Sequence, residues 1–92
     1  MSAPAINSLV YELEQSLNNK YGPMISNEDL RLALGYPSMP AFRQALSRKT
    51  VPVPVFALPN RRGKYALVKD IANWLATQRD AAAFQMNKDK GK

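Results

Sequence analysis

Arg43, Gln44, Ser47 and Arg48 are the residues whose types and spacing offer the most chemistry. Successive residues of an α-helix turn by about 100°, so with Pro40 set at zero these four lie within about 80° of it. Ala41, Phe42, Ala45 and Leu46 fall on the opposite half. One face is small and apolar, fit to dock on a neighbouring helix. The other carries a guanidinium, a carboxamide, a hydroxyl and a second guanidinium. Arginine pairs bidentately with guanine and glutamine with adenine in the major groove, which admits a helix of this width. A merely solvated amphipathic helix ordinarily mixes Glu with Lys, and this face has no carboxylate. The second group is Arg61-Arg62-Gly63-Lys64, three cations around a glycine, suited to phosphate or minor-groove contact.

Charge placement supports the same reading. The chain of 92 residues has a net charge of +6, and its residues 30–69 hold eight cations and no acid. Residues 1–29 are acidic, with Glu12, Glu14, Glu28 and Asp29 against Lys20. A long segment of one sign builds a field that attracts polyanions. Other chemistries are excluded by what is missing. With 0 Cys and 0 His, there are no disulfides, thiolates, zinc fingers or imidazole acid–base catalysts. Glu12 and Glu14 have no second acidic group placed for metal or acid–base work, and there is no Gly-rich phosphate loop. An enzyme is therefore not expected, nor a cofactor, a metal or a small-molecule substrate. The apolar runs are far shorter than the roughly 20 residues of a membrane span. No signal-peptide pattern is visible, so a cytoplasmic location is expected.

The elements that must position these side chains follow from periodicity. At 10.3 kDa the chain is a single domain, over 1–87, with 88–92 as a flexible basic tail. Ile6, Leu9, Val10, Leu13 and Leu17 form the stripe of an amphipathic helix over about 5–20, closed by Tyr21-Gly22-Pro23. Ser26-Asn27-Glu28-Asp29 reads as a cap and acidic first turn, opening a short helix over about 27–34 that ends at Gly35. Ser38 caps a third helix over about 39–49 with Pro40 in its first turn. Two short helices so joined, over about 26–49, are a helix-turn-helix arrangement. Val51-Pro52-Val53-Pro54-Val55 is extended, because each residue before Pro is pushed out of the helical region. Phe56-Ala57-Leu58 and Lys64-Tyr65-Ala66-Leu67 then form a two-stranded hairpin wing, over about 54–67, with the basic turn at its tip. Ile71, Trp74, Leu75 and Gln78 give the stripe of a last helix over about 69–84. Trp74 is expected in the core and Met24 and Met39 in packing. Tyr65 is open between stacking on a base and packing under the hairpin.

The order Leu30-Arg31-Leu32-Ala33-Leu34-Gly35, Phe42-Arg43-Gln44-Ala45-Leu46, Val51-Pro52-Val53-Pro54, Arg61-Arg62-Gly63-Lys64-Tyr65 and Asp70-Ile71-Ala72-Asn73-Trp74-Leu75 resembles the excisionase and AlpA-like small winged-helix proteins, of the MerR-type helix-turn-helix group. The resemblance covers about residues 25–76. It departs where Pro40-Ala41 replaces the usual Ser or Thr before the recognition-helix aromatic, and where Lys49-Thr50 replaces a glycine. It implies sequence-specific binding of double-stranded DNA, as an excisionase-like architectural factor or a small transcriptional regulator, often encoded by mobile elements.

The expected fold is thus α+β and mostly helical, a winged helix-turn-helix with a two-stranded wing and an added N-terminal helix. The DNA-contacting residues are expected to be Ser38, Arg43, Gln44, Ser47, Arg48, Arg61, Arg62 and Lys64. The alternative from another class is a protein-interaction or RNA-binding adaptor that uses the basic face. The N-terminal stripe must be covered either by the domain itself or by a second copy, and a homodimer through that helix would match a two-fold pair of half-sites.

Overall fold

A computed structural model describes the backbone of residues 5–90 and the side chains of 8–85. The chain folds as α1 (Ala5–Tyr21), β1 (Met24–Ser26), α2 (Asn27–Leu34), α3 (Met39–Arg48), β2 (Tyr65–Leu67) and α4 (Val68–Lys90). It is a small α+β fold of four helices and a two-stranded antiparallel sheet. None of these helices is long and apolar enough to cross a membrane.

The two short helices end by the same device. Gly35 takes a left-handed φ of 85°, its N–H donates to the Leu32 carbonyl, and the Tyr36 N–H reaches back to the Arg31 carbonyl. Lys49 repeats this geometry after α3 at φ 59°, with its own N–H on Leu46 O and that of Thr50 on Ala45 O. This paired closure satisfies carbonyls that the helix leaves orphaned. At this left-handed position the chain has lysine where glycine would be unstrained. At the other end of α3 the Ser38 Oγ accepts from the Ala41 N–H at 3.2 Å, as its place predicts. Ser26 differs: it is extended and makes no side-chain cap bond, because its backbone belongs to β1.

The sheet is not the one the sequence suggests. Phe56-Ala57-Leu58 does not form a strand. Only Phe56 pairs, through a reciprocal 2.8 Å bridge with Tyr65. The prolines at 52, 54 and 59 remove ladder donors on both sides of that residue. The partner of β2 is instead β1, in the register Met24↔Leu67, Ile25↔Ala66 and Ser26↔Tyr65. Three residues after Gly-Pro are too few to show a period of two, so β1 escapes a pattern search.

The core lies where sheet, α2, α3 and the start of α4 meet. Ile25, Leu30, Leu34, Phe42, Val53, Ala66, Val68 and Ile71 are buried together. Phe42 is its largest member at 1% exposure, with the Tyr36 ring 5.5 Å away. The apolar stripe of α4 is Val68, Ile71, Ala72 and Ala76, rotated from the expected one. Gln78 is exposed, and Trp74 is half-buried against the core while walling a shallow groove with Pro52, Pro54, Asp70, Asn73 and Thr77.

Because β1 and β2 are antiparallel, α1 runs toward the sheet and α4 runs away from it. The two helices therefore lie side by side and pack along each other. Helix α4 extends to Lys90, beyond the expected 84. The backbone of 88–90 thus belongs to α4, and 91–92 lie outside the described residues.

The burial pattern ranks two substitutions. Phe42→Ala should cost about 3–5 kcal/mol, close to the whole stability of so small a domain. Trp74→Ala, half-exposed, should cost about half as much. Urea unfolding measures both, and a larger loss at Trp74 than at Phe42 would contradict this core.

Candidate nucleic-acid interface

The apolar half of α3 fixes how its polar half is presented. Phe42 and Ala45 are buried and Ala41 and Leu46 half-buried, so Arg43, Gln44, Ser47 and Arg48 are all exposed. Arg43 and Ser47 stand one turn apart, as do Gln44 and Arg48, giving two parallel rows. Lys49 extends this face, exposed at the helix end. Sequence reasoning misses it, although its place as a left-handed closing residue marks it as surface. Ser38 sits apart from the rows. It is half-buried, its oxygen is engaged in the cap, and its hydroxyl proton is left to donate.

The second group, Arg61, Arg62 and Lys64, is exposed on the loop between Leu58 and Tyr65. That loop is anchored at several points. Leu58 to Arg61 closes a turn, with the Arg61 N–H on Leu58 O at 3.2 Å and Asn60 at φ 62°. The Tyr65 hydroxyl donates to the Arg62 carbonyl at 3.1 Å, and its ring stacks on Phe56 at 6.4 Å. Tyr65 is therefore a packing residue of the loop base. Asn27 completes the clasp: its N–H donates to Lys64 O and its Oδ1 accepts the Lys64 N–H, both at 3.2 Å. Asn27 is left-handed at φ 50°, a conformation that Asn tolerates better than most residues. No periodicity in the sequence marks it.

One cation of the basic segment is diverted inward. Arg31 donates from Nη1 to the Tyr36 carbonyl at 2.7 Å and from Nη2 to Glu28 Oε2, and its Nε is buried without a partner. It braces the turn between α2 and α3. The hydrogen bond from Arg31, reinforced by its charge and opposed by desolvation, holds the Glu28 carboxyl below its ordinary pKa. A lowered folded-state pKa adds stability above the unfolded pKa and loses it as pH falls through the folded value. Among the described residues this is the one ion pair, so Arg43, Arg48, Lys49, Arg61, Arg62 and Lys64 face solvent without a carboxylate partner.

The structure thus brings four expected residues together on α3 and three on the anchored loop. The arrangement can offer hydrogen-bond donors and cations to an anionic polymer on two separate supports. Comparison of the chain with protein-family models, curated proteins and solved structures finds no match.

Gly63 tests the clasp. It has φ 98°, and a Cβ there would collide with the Asn27 carboxamide. Gly63→Ala should therefore open the Asn27–Lys64 pair and destabilise the fold by about 1–3 kcal/mol. Amide exchange at Lys64 reads this directly, and unchanged protection there would contradict the clasp.

Proposed function

We propose that the chain binds double-stranded DNA sequence-specifically as a winged helix-turn-helix protein. In this reading α2 and α3 are the helix-turn-helix, α3 enters the major groove, and the loop 57–64 is the wing on the backbone or minor groove. The observation that carries it is the division of α3 into a face locked by Phe42 and Ala45 and a face exposing Arg43, Gln44, Ser47 and Arg48 without an acid. A helix so anchored presents its donors in a fixed orientation, which base readout needs. The wing residues Arg61, Arg62 and Lys64 supply charge for positioning. Ser38 has one hydroxyl proton left for a phosphate oxygen at the start of α3. The biological role follows the excisionase-like resemblance, an architectural factor or a small transcriptional regulator.

Arg43→Ala should cost about 1–3 kcal/mol on the preferred site and relax preference at one or two base pairs. Selection of bound duplexes from a random pool, run on parent and variant, measures this. Uniform weakening on all duplexes would reduce Arg43 to a phosphate contact.

Replacing Arg61, Arg62 and Lys64 together by Ala should flatten the slope of log K against log salt by about 2–3 units, at about 0.9 for each phosphate no longer neutralised. Specific and random duplex should weaken together, and thermal stability should hardly change, because exposed charges contribute little to folding. An unchanged slope would take the wing off the DNA. Tighter binding to RNA or to an acidic protein than to duplex would replace the reading with the adaptor alternative.

A further inference from the structure

The chain has more surface than its mass requires. Its accessible surface is 6718 Å², whereas a compact monomer of this mass exposes about 5,400 Å². Its radius of gyration is 15.2 Å, against about 12 Å for a compact domain of this length. Among the described residues the least buried part is the arm formed by α1 and α4. Among the described residues no side chain of α1 is buried, and none of α4 after Ala76 is. Leu17 and Tyr21 reach the core, but Leu9, Val10 and Leu13 are only half-buried, outside it. Helix α4 there offers mostly alanine, Ala81-Ala82-Ala83. Two helices side by side form a single layer, which leaves part of an apolar stripe in water.

We propose that this arm is the docking surface for a second copy of the chain, the two arms closing into an antiparallel four-helix bundle in which α1 of each copy lies on α4 of the other. Charge selects the pairing of helices. Placing α1 on its own copy would oppose Glu12 and Glu14 to themselves. Placing it on α4 opposes Glu12, on one flank of the stripe, to Arg79, which stands about as far from the sheet on α4 as Glu12 does on α1. Asp80 is turned about 100° away from Arg79. Glu12 and Arg79 are exposed, and among the described residues neither makes an ion pair. The Glu12–Arg79 pairing, formed twice about the axis, is self-complementary, as a two-fold interface must be. The inference is independent of DNA binding and is tested without nucleic acid.

Light scattering of the full chain up to about 200 µM should show the mass rising from 10.3 kDa toward twice that value. Arg79→Glu leaves the fold intact, since the side chain is exposed, and should weaken the dimer by about tenfold or more. Adding Glu12→Lys to that variant should restore it. A parent that stays at monomer mass throughout overturns the proposal. A dimer indifferent to Arg79→Glu, or not restored by the charge exchange, overturns the pairing of α1 with α4. Leu13→Glu is read together with its circular dichroism: a helical monomer supports the interface, and a helical variant with undiminished dimer mass contradicts it.

Discussion

Three residue pairs, Met24 with Leu67, Ile25 with Ala66 and Ser26 with Tyr65, join segments separated by about forty residues. Nearly every other feature is arranged around that short ladder. It starts α4 beside the end of α1, with the Val68 N–H on the Pro23 carbonyl at 2.9 Å, and so creates the arm. It places Ile25 and Ala66, both essentially inaccessible, beneath the buried leucines of α2. It also brings Tyr65 between Ser26 and Phe56, so that the basic loop is rooted in the sheet rather than hanging from it. Closing a loop of that length costs conformational entropy that three ladder pairs do not offset alone. The burial of Phe42, Leu30, Ile71 and Val68 against the sheet supplies the remainder.

That arrangement gathers cations without a carboxylate partner at the end of the molecule remote from the acids of α1. The cations of α3 and of the loop 57–64 belong to the globular end, while Glu12 and Glu14 stand on the arm. A polyanion approaching the molecule would meet its attractive end with the acidic helix directed elsewhere. Arg31 shows that cation content alone overstates such a surface. Its guanidinium closes the turn ahead of α3 and is withdrawn from any ligand, yet without that brace the angle between α2 and α3 would be set less firmly. The proposed DNA contact and the proposed dimer therefore make use of opposite ends of one chain, each held by the same sheet.

The helices are legible in the sequence because their signals are local. The stripe of α1, the glycine after α2, the Ser38 cap and the apolar half of α3 each follow from residues within a turn or two of one another. The ladder is not legible, because three-residue strands carry no usable period and their pairing is set by tertiary contacts. Two alternating runs suggest a regular hairpin wing, but prolines at 54 and 59 leave Phe56 alone able to pair. Asn27 and Tyr65 owe their roles to backbone at Lys64 and Arg62, which no periodic pattern announces. The identities of the exposed cations are available from the sequence, whereas the inward turn of Arg31 needs the position of Tyr36.

The central claim is that the polar face of α3, backed by Phe42 and Ala45, is the surface that meets duplex DNA. Amide chemical-shift mapping of the full chain during titration with a mixed-sequence DNA duplex tests it most directly. Shifts should concentrate over 38–49 and 57–64, with α1 and the distal half of α4 unchanged. Shifts confined to α1 or to the far end of α4, with Arg43 to Arg48 silent, would contradict it.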